Sequence, residues 1–467
     1  MGPEPVPERR TSYAGPSSSA LKFPPASFNV PRHGESNDPG TLAGAEPALS
    51  ARRAAANFLA HVVGDAAAKR LGLVAYATLG RRLGASSDGA YGALEAALAT
   101  VFIASLCVEG GLAPYGARAV AADPSSARKL AARIGLLRLV WAALAALALG
   151  GYVVYARPPA AVATLIGWYA LTLFPYALYA EWLFQGRNEP WWVAPPQILR
   201  NLFLWCAAFL CVRGPADAWM APVADGLGFL AGALLQQAAA RRRVGAPDFA
   251  APRALFALAR ASFPTLLSGL FFVFRVFYPM TLAGRIAAPE VADGYAGAHR
   301  LFVSLHAVVP LFCINLLPSW ARAWTSGDMA AFRRSVGGGL AALGAGAAAA
   351  AVVAATDLPA ATLAFVYRDP AFSAAGGAFS VLLLALGALA VSAVPRFAFI
   401  AIGRPRFDAA SNAVGALCVA AWAATLGPED APTAVDFARI VLGGELVAGL
   451  TAWGCAAALA SARRRAV

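Results

Sequence analysis

An ionisable side chain in the middle of a bilayer-spanning apolar run costs at least about 2.5–3.5 kcal/mol, so it must face a partner or a watery cavity. This sequence places many such groups inside its apolar runs. His61, Asp65 and Lys69 recur every fourth residue and share one helical stripe. That stripe reads either as an internal Asp65–Lys69 pair or as a cavity wall with a protonatable carboxylate. Glu95 and Glu109 lie near the two ends of the next run. Arg275 sits among Phe271, Phe272, Phe274 and Phe277, where a guanidinium facing lipid is prohibitive, so it points inward. His299 and His306, seven residues apart, share a face beside Arg300. Arg138, Arg200 and Arg396 lie nearer run ends, within reach of the membrane interface. The surplus of interior Arg over interior acid suits an anionic ligand, because guanidinium pairs bidentately with phosphate.

Other chemistries have no support in the residues. The chain has no GxxxxGK[ST], HExxH or GxSxG segment, and its six Cys show no CxxC spacing. No catalytic residue, metal ligand or cofactor is predicted, and the Cys read as small core residues.

The elements that hold these groups are apolar helices. The 467 residues are 59% hydrophobic and 13% charged, with mean hydropathy +0.60. A soluble chain carries about 25% charged residues. Apolar blocks at 57–79, 90–113, 134–156, 160–183, 192–212, 219–240, 262–284, 294–317, 335–355, 376–400, 408–426 and 434–460 each have the length of a membrane span. The net charge of +13 does not signal nucleic-acid binding, because the basic residues sit at block ends rather than on one polar face. With the N-terminus inside, roughly twenty Lys and Arg flank the inner ends and about six the outer ends, which predicts an inside location for both termini. Residues 1–50, rich in Pro, Ser and Gly without an apolar block, read as a disordered cytoplasmic tail.

A repeat appears at a shift of 204 residues. Gly80-Arg81 falls on Gly284-Arg285, Tyr91 on Tyr295, Leu112 on Leu316, Pro114 on Pro318, and Ala117-Arg118-Ala119 on Ala321-Arg322-Ala323. The matches mark the same helix ends six spans apart, so the two halves have the same orientation, a parallel repeat. The predicted fold is all-α integral membrane, with about twelve transmembrane helices in two parallel six-helix lobes. The first lobe covers 51–240, a cytoplasmic linker 241–261, and the second lobe 262–467.

Several short motifs then point to a family. Arg82-Leu83-Gly84 with Tyr91-Gly92, Glu109-Gly110-Gly111-Leu112 with Arg118, and Trp182-Leu183-Phe184-Gln185-Gly186 with Gln197 and Arg200 come in order along the first half. Tyr295, Ala298, Arg300 and Leu301, then Leu317-Pro318 and Gly403-Arg404-Pro405, follow in the second. Together, over about 52–460, they resemble the bacterial polysaccharide (O-antigen type) flippases of the multidrug/oligosaccharidyl-lipid/polysaccharide exporter superfamily. Two positions depart from that pattern: Glu109 stands where Asp is usual, and Arg275 where Asn or Asp is frequent.

The resemblance implies a transporter, not an enzyme, in the bacterial inner membrane. It implies two lobes rocking around a cationic central cavity, driven by an ion gradient without a cofactor. The implied cargo is an undecaprenyl-pyrophosphate-linked oligosaccharide moved from the inner to the outer leaflet for O-antigen, capsule or exopolysaccharide synthesis. Membrane lipids, a polymerase and glycosyltransferases are the implied partners. Arg300, Arg275, Lys69, Arg70, Arg200 and His306 are then the candidate substrate-binding residues, and Asp65 and Glu109 the candidate ion-coupling residues. An ion-coupled drug/cation antiporter of the same superfamily, using Asp65, and an intramembrane glycan polymerase or ligase are the alternatives.

Overall fold

A computed structural model of the chain describes residues 51–84, 88–187, 189–246, 248 and 252–465. The tail expected over 1–50 lies outside the described residues, as do the side chains of His61 and Asp65. Among the described residues every regular element is helical.

Twelve rods follow one another and match the twelve apolar blocks in order. The first half is α1 (Ala51–Leu83), α2 (Ala90–Glu109) continued by α3 (Leu112–Ala122), α4 (Ala127–Ala156), α5 (Ala160–Ala177) continued by α6 (Glu181–Gly186), α7 (Ala194–Leu210) and α8 (Met220–Val244). The second half is α9 (Pro252–Ile286), α10 (Pro289–His306) continued by α11 (Val308–Thr325), α12 (Met329–Ala354), a short α13 (Leu358–Tyr367), α14 (Gly376–Ala401), α15 (Pro405–Ala423) and α16 (Ala434–Arg465). Among the described residues, nine helical segments are long and apolar enough on their own to cross a membrane. The rods built on α1, α7 and α15 are not among these nine.

The two halves repeat the same packing. In the first, α7 lies against α1 and α8, and α5 against α2, α4 and α8. In the second, α15 lies against α9 and α16, and α14 against α10, α12 and α16. Each rod thus keeps its counterpart's neighbours, as the sequence repeat requires. The lobes meet chiefly where α2 packs on α9 and α10. Small residues allow that approach: a Cβ added to Gly284 would lie 2.1 Å from the Ala96 Cβ, and one added to Gly92 2.7 Å from the Ala292 carbonyl carbon.

Local chemistry explains where rods break. Gly110 and Gly111 both have positive φ (62° and 66°), and a Cβ on Gly111 would lie 2.7 Å from the Ser262 carbonyl oxygen. Only glycine fits there, so α2 stops and the helix restarts as α3. The block expected to end at 113 therefore continues as helix to Ala122. Between α10 and α11, Pro310 has no N–H for the His306 carbonyl, and α10 ends at that residue. Asp123 caps the turn before α4; its carboxylate accepts from the Ser125 hydroxyl and backbone N–H, which hold it below the usual carboxylate range.

Among the described residues of the linker 241–261 most are helical, because α8 runs on to Val244 and α9 begins at Pro252. Residues 356–375, between the ninth and tenth apolar blocks, form α13 and a 3₁₀ turn whose Leu363, Tyr367 and Phe372 are buried.

Candidate functional site

A central cavity of about 520 Å³ lies between the lobes. α1, α2, α6 and α7 line it from the first lobe, and α9 and α10 from the second. Its lining residues sit halfway along α1 and α2, at the start of α7 and at the end of α10. The cavity therefore occupies the half of the molecule nearer the two termini.

The other half is shut. Gly92 N–H donates to Asp293 Oδ1 at 2.6 Å, tying α2 to α10. Arg81 Nε donates to the Val366 carbonyl at 2.9 Å, tying α1 to α13. Tyr367 donates to the Gly297 carbonyl at 3.0 Å, stacks on Phe372 with centroids 4.3 Å apart, and meets the Tyr91 hydroxyl at 3.4 Å. The rings come to rest there because Gly80 leaves room: a Cβ at that position would lie 2.5 Å from the Tyr367 ring.

At the base of the cavity Arg300 forms a bidentate pair with Glu95 across the lobe boundary, Nε donating to Oε1 at 2.9 Å and Nη2 to Oε2. Its guanidinium lies 3.6 Å from the Tyr76 ring centroid. On the first-lobe wall Arg200 pairs bidentately with Asp225 at 2.7 and 2.9 Å and covers the Phe229 ring. Asp225 reaches this position because Gly228 lets α8 close on the α7 backbone at Arg200. Gln197 Nε2 donates to Glu181 Oε1 at 2.6 Å. Lys69, Gln185, Asn201 and Ser304 complete the polar lining. Side-chain amides, hydroxyls and fixed guanidiniums over aromatic rings form a surface suited to sugar hydroxyls and phosphate oxygens.

Two smaller chambers adjoin the cavity and share Gln197 with it. One, of about 220 Å³, is lined by Tyr169, Tyr176, Asp225 and Phe229. The other, of about 360 Å³, holds Glu109 with Arg138, Tyr176, Glu181 and Gln185. Glu109 makes no hydrogen bond or ion pair among the described residues, so its carboxylate is open to this chamber.

The sequence candidates fall into two groups. Arg300, Arg200 and Lys69 line the central cavity, and Glu109 its side chamber. Arg70 is exposed and is not part of the lining. Arg275 does not reach the cavity: it is fully buried inside the second lobe and pairs with Glu445 at 3.1 Å, both side chains 0% exposed. His306 is also buried away from the cavity, between the rings of Phe272 and Phe302. Neither Arg138 nor Arg396 extends to the interface. Arg138 is buried and donates to the Tyr179 carbonyl at 2.7 Å, and Arg396 is buried and pairs with Asp408 at 2.8 Å. The side chain of Asp65 lies outside the described residues. The sequence assigns no role to Tyr76, Glu181 or Asn201; Glu95 reads there as an interior acid, but nothing in the sequence joins it to Arg300.

The sequence profile of the family described as "Polysaccharide biosynthesis protein" matches residues 54–323, more than half of the chain. The chain belongs to this family. Among curated proteins no sequence matches it significantly. Solved structures share the fold. A multidrug resistance MATE family transporter of the MOP superfamily, in an inward-facing conformation, superposes with TM-score 0.65 at 14% identity, covering 85% of this chain and 96% of that one. The lipid II flippase MurJ, in an inward closed conformation, gives TM-score 0.62 at 10% identity over 85% and 87%. A MOP superfamily transporter from Pyrococcus furiosus gives 0.59 at 14% over 86% and 94%. The chain is a multi-pass membrane protein with this two-lobed fold.

Proposed function

We propose that the chain is a transporter that carries an undecaprenyl-pyrophosphate-linked oligosaccharide from the inner to the outer leaflet of the bacterial cytoplasmic membrane, with both termini cytoplasmic. The observation that supports this most is the cavity itself: a polar chamber between two lobes, near the terminal side of the helices and sealed at the other. In this orientation the arrangement is an inward-facing state of an alternating-access cycle. Arg300 and Arg200 are the proposed pyrophosphate contacts, with Lys69 as an additional cation; the amides of Gln185, Gln197 and Asn201 face the sugars. Glu95 and Asp225 hold the two guanidiniums in place when the cavity is empty, and the cargo's phosphate oxygens compete with them. Glu109 is the proposed ion-coupling carboxylate.

Membership of a polysaccharide biosynthesis family supports a glycan cargo. A cationic drug fits the central chamber less well: Glu95 and Asp225 are taken up by arginines, and Glu181 by Gln197. Binding in nanodiscs tests the cargo. Undecaprenyl-pyrophosphate-linked oligosaccharide should bind the wild type and lose most of that affinity in Arg200→Ala. Equal binding of a lipid-free cationic dye and no binding of the pyrophosphate lipid would overturn the reading.

A further inference from the structure

A second large opening lies away from the central cavity, within the second lobe. It is a groove of about 640 Å³ between α11, α12, α14 and α16, at the end of the lobe nearer the termini. Its walls are apolar, with Trp324, Phe332, Val336, Phe399 and Trp453 prominent, and its one charged lining residue is Arg333.

The internal repeat shows that this space need not be open. At the shift of 204 residues, Trp324, Arg333 and Val336 correspond to Val120, Lys129 and Ala132. In the first lobe that corner is solid. Val120, Ala132 and Ile134 are buried there with Trp182, Leu183 and Phe184 of α6. The fit is tight, since a Cβ on Gly116 of α3 would lie 2.5 Å from the Trp182 ring. The plug exists because the chain breaks after α5 and tucks α6 back against α3. In the second lobe α14 runs unbroken through Pro395 to Ala401, so no segment turns back to fill the corner.

An open apolar groove at the end of membrane helices has lipid chains as its solvent. The surrounding charge selects among lipids. Arg322, Arg333 and Arg334 stand at the facing ends of α11 and α12, and Arg404 and Arg406 at the start of α15. The acids nearby are already engaged: Asp328 caps α12 through the Ala331 N–H, and Asp408 pairs with Arg396. Arg333 and Arg334 are exposed and make no ion pair among the described residues. A cationic rim over an apolar slot complements an anionic headgroup carrying an acyl chain. Trp324, tilted against Phe332 with centroids 5.4 Å apart, supplies the amphipathic aromatic expected at that depth.

We propose that this groove binds an acidic phospholipid of the surrounding membrane, one acyl chain filling the slot and the headgroup held by Arg333. The lipid does for the second lobe what α6 does for the first. It stiffens the packing of α11 and α12 on α14 and α16 and is distinct from the transported cargo.

The test is native mass spectrometry of the delipidated full-length protein, titrated with phosphatidylglycerol and with phosphatidylcholine, and then with undecaprenyl phosphate in competition with bound phosphatidylglycerol. Phosphatidylglycerol should bind about fivefold more tightly than phosphatidylcholine, the gain expected of one basic residue at an anionic headgroup. Arg333→Gln should remove that preference. Val336→Trp, which fills the slot, should remove the tight phosphatidylglycerol adduct; Ala456→Leu, a milder filling, should weaken it and gives the answer if the Trp variant does not fold. Equal binding of the two phospholipids by the wild type would overturn the proposal, as would an unchanged adduct in Ala456→Leu. Displacement of phosphatidylglycerol from the groove by undecaprenyl phosphate would also overturn it, assigning the slot to the cargo's tail.

Discussion

Removing Arg275 should damage the folded protein rather than the transport chemistry. Its guanidinium and the Glu445 carboxylate are both 0% exposed, 3.1 Å apart, and join α9 to α16 inside the second lobe. Arg275→Met leaves Glu445 buried without its counter-charge, a loss of about 3–5 kcal/mol for breaking a buried pair from one side. At about 1.4 kcal/mol per factor of ten, that is roughly a hundredfold to a few thousandfold shift toward unfolded protein. Replacing both partners by apolar residues of similar size removes the stranded charge and is often neutral or stabilising. The double variant Arg275→Met/Glu445→Leu should therefore recover most of the abundance lost by Arg275→Met. The assay is membrane abundance together with the thermal midpoint of the detergent-extracted protein, measured for both singles and the double. An Arg275→Met protein of normal abundance and midpoint that no longer exports glycan would refute this reasoning and return Arg275 to the substrate-binding residues.

Further expectations follow from other positions. Gly111→Val requires a β-branched residue at φ 66° with its Cβ against the Ser262 carbonyl, so it should lower folded protein severely, whereas Gly150→Ala, with open space around it, should be tolerated. Normal abundance of Gly111→Val would contradict the account of the α2–α3 break. Reporter fusions after Arg157 and after Arg368 should both report the periplasm, as the distribution of basic residues predicts; a cytoplasmic signal at either would break the orientation. Glu109→Gln should reduce the dependence of export on the ion gradient while leaving membrane abundance near normal, and unchanged gradient dependence would remove Glu109 from the coupling step.

The rods were legible in the sequence because each is a run of apolar residues closed by charge, Pro or Gly, and membrane burial makes that pattern stringent. The parallel halves were legible for a similar reason: Gly80-Arg81 and Gly284-Arg285 mark the same helix end twice. What the sequence concealed was which side of each rod faces what. Arg300 and Arg275 are both arginines inside apolar runs, yet one pairs with Glu95 at the cavity base and the other with Glu445 inside a lobe. Those partners lie 205 and 170 residues away, a separation that no local periodicity reports. Arg138 and Arg396 were misplaced for a related reason. Nearness to a helix end permits a side chain to reach water, but a carbonyl or carboxylate on a neighbouring rod offers a better partner. The burial of Tyr367 and Phe372 was hidden because residues 356–375 are short helical pieces without a membrane-length apolar run.

The central claim is that the cavity residues move a pyrophosphate-linked glycan across the membrane. It is tested most directly by reconstituting the purified protein in proteoliposomes that carry a fluorescent undecaprenyl-pyrophosphate oligosaccharide, and by following its transfer between leaflets with a membrane-impermeant quencher under an imposed ion gradient. The account predicts gradient-dependent transfer by the wild type, partial transfer by Arg300→Lys, which keeps the charge but loses the bidentate fork, and none above background by an equally abundant Arg300→Ala. Wild-type transfer by Arg300→Ala, or no transfer of the glycan lipid by the wild type, would contradict it.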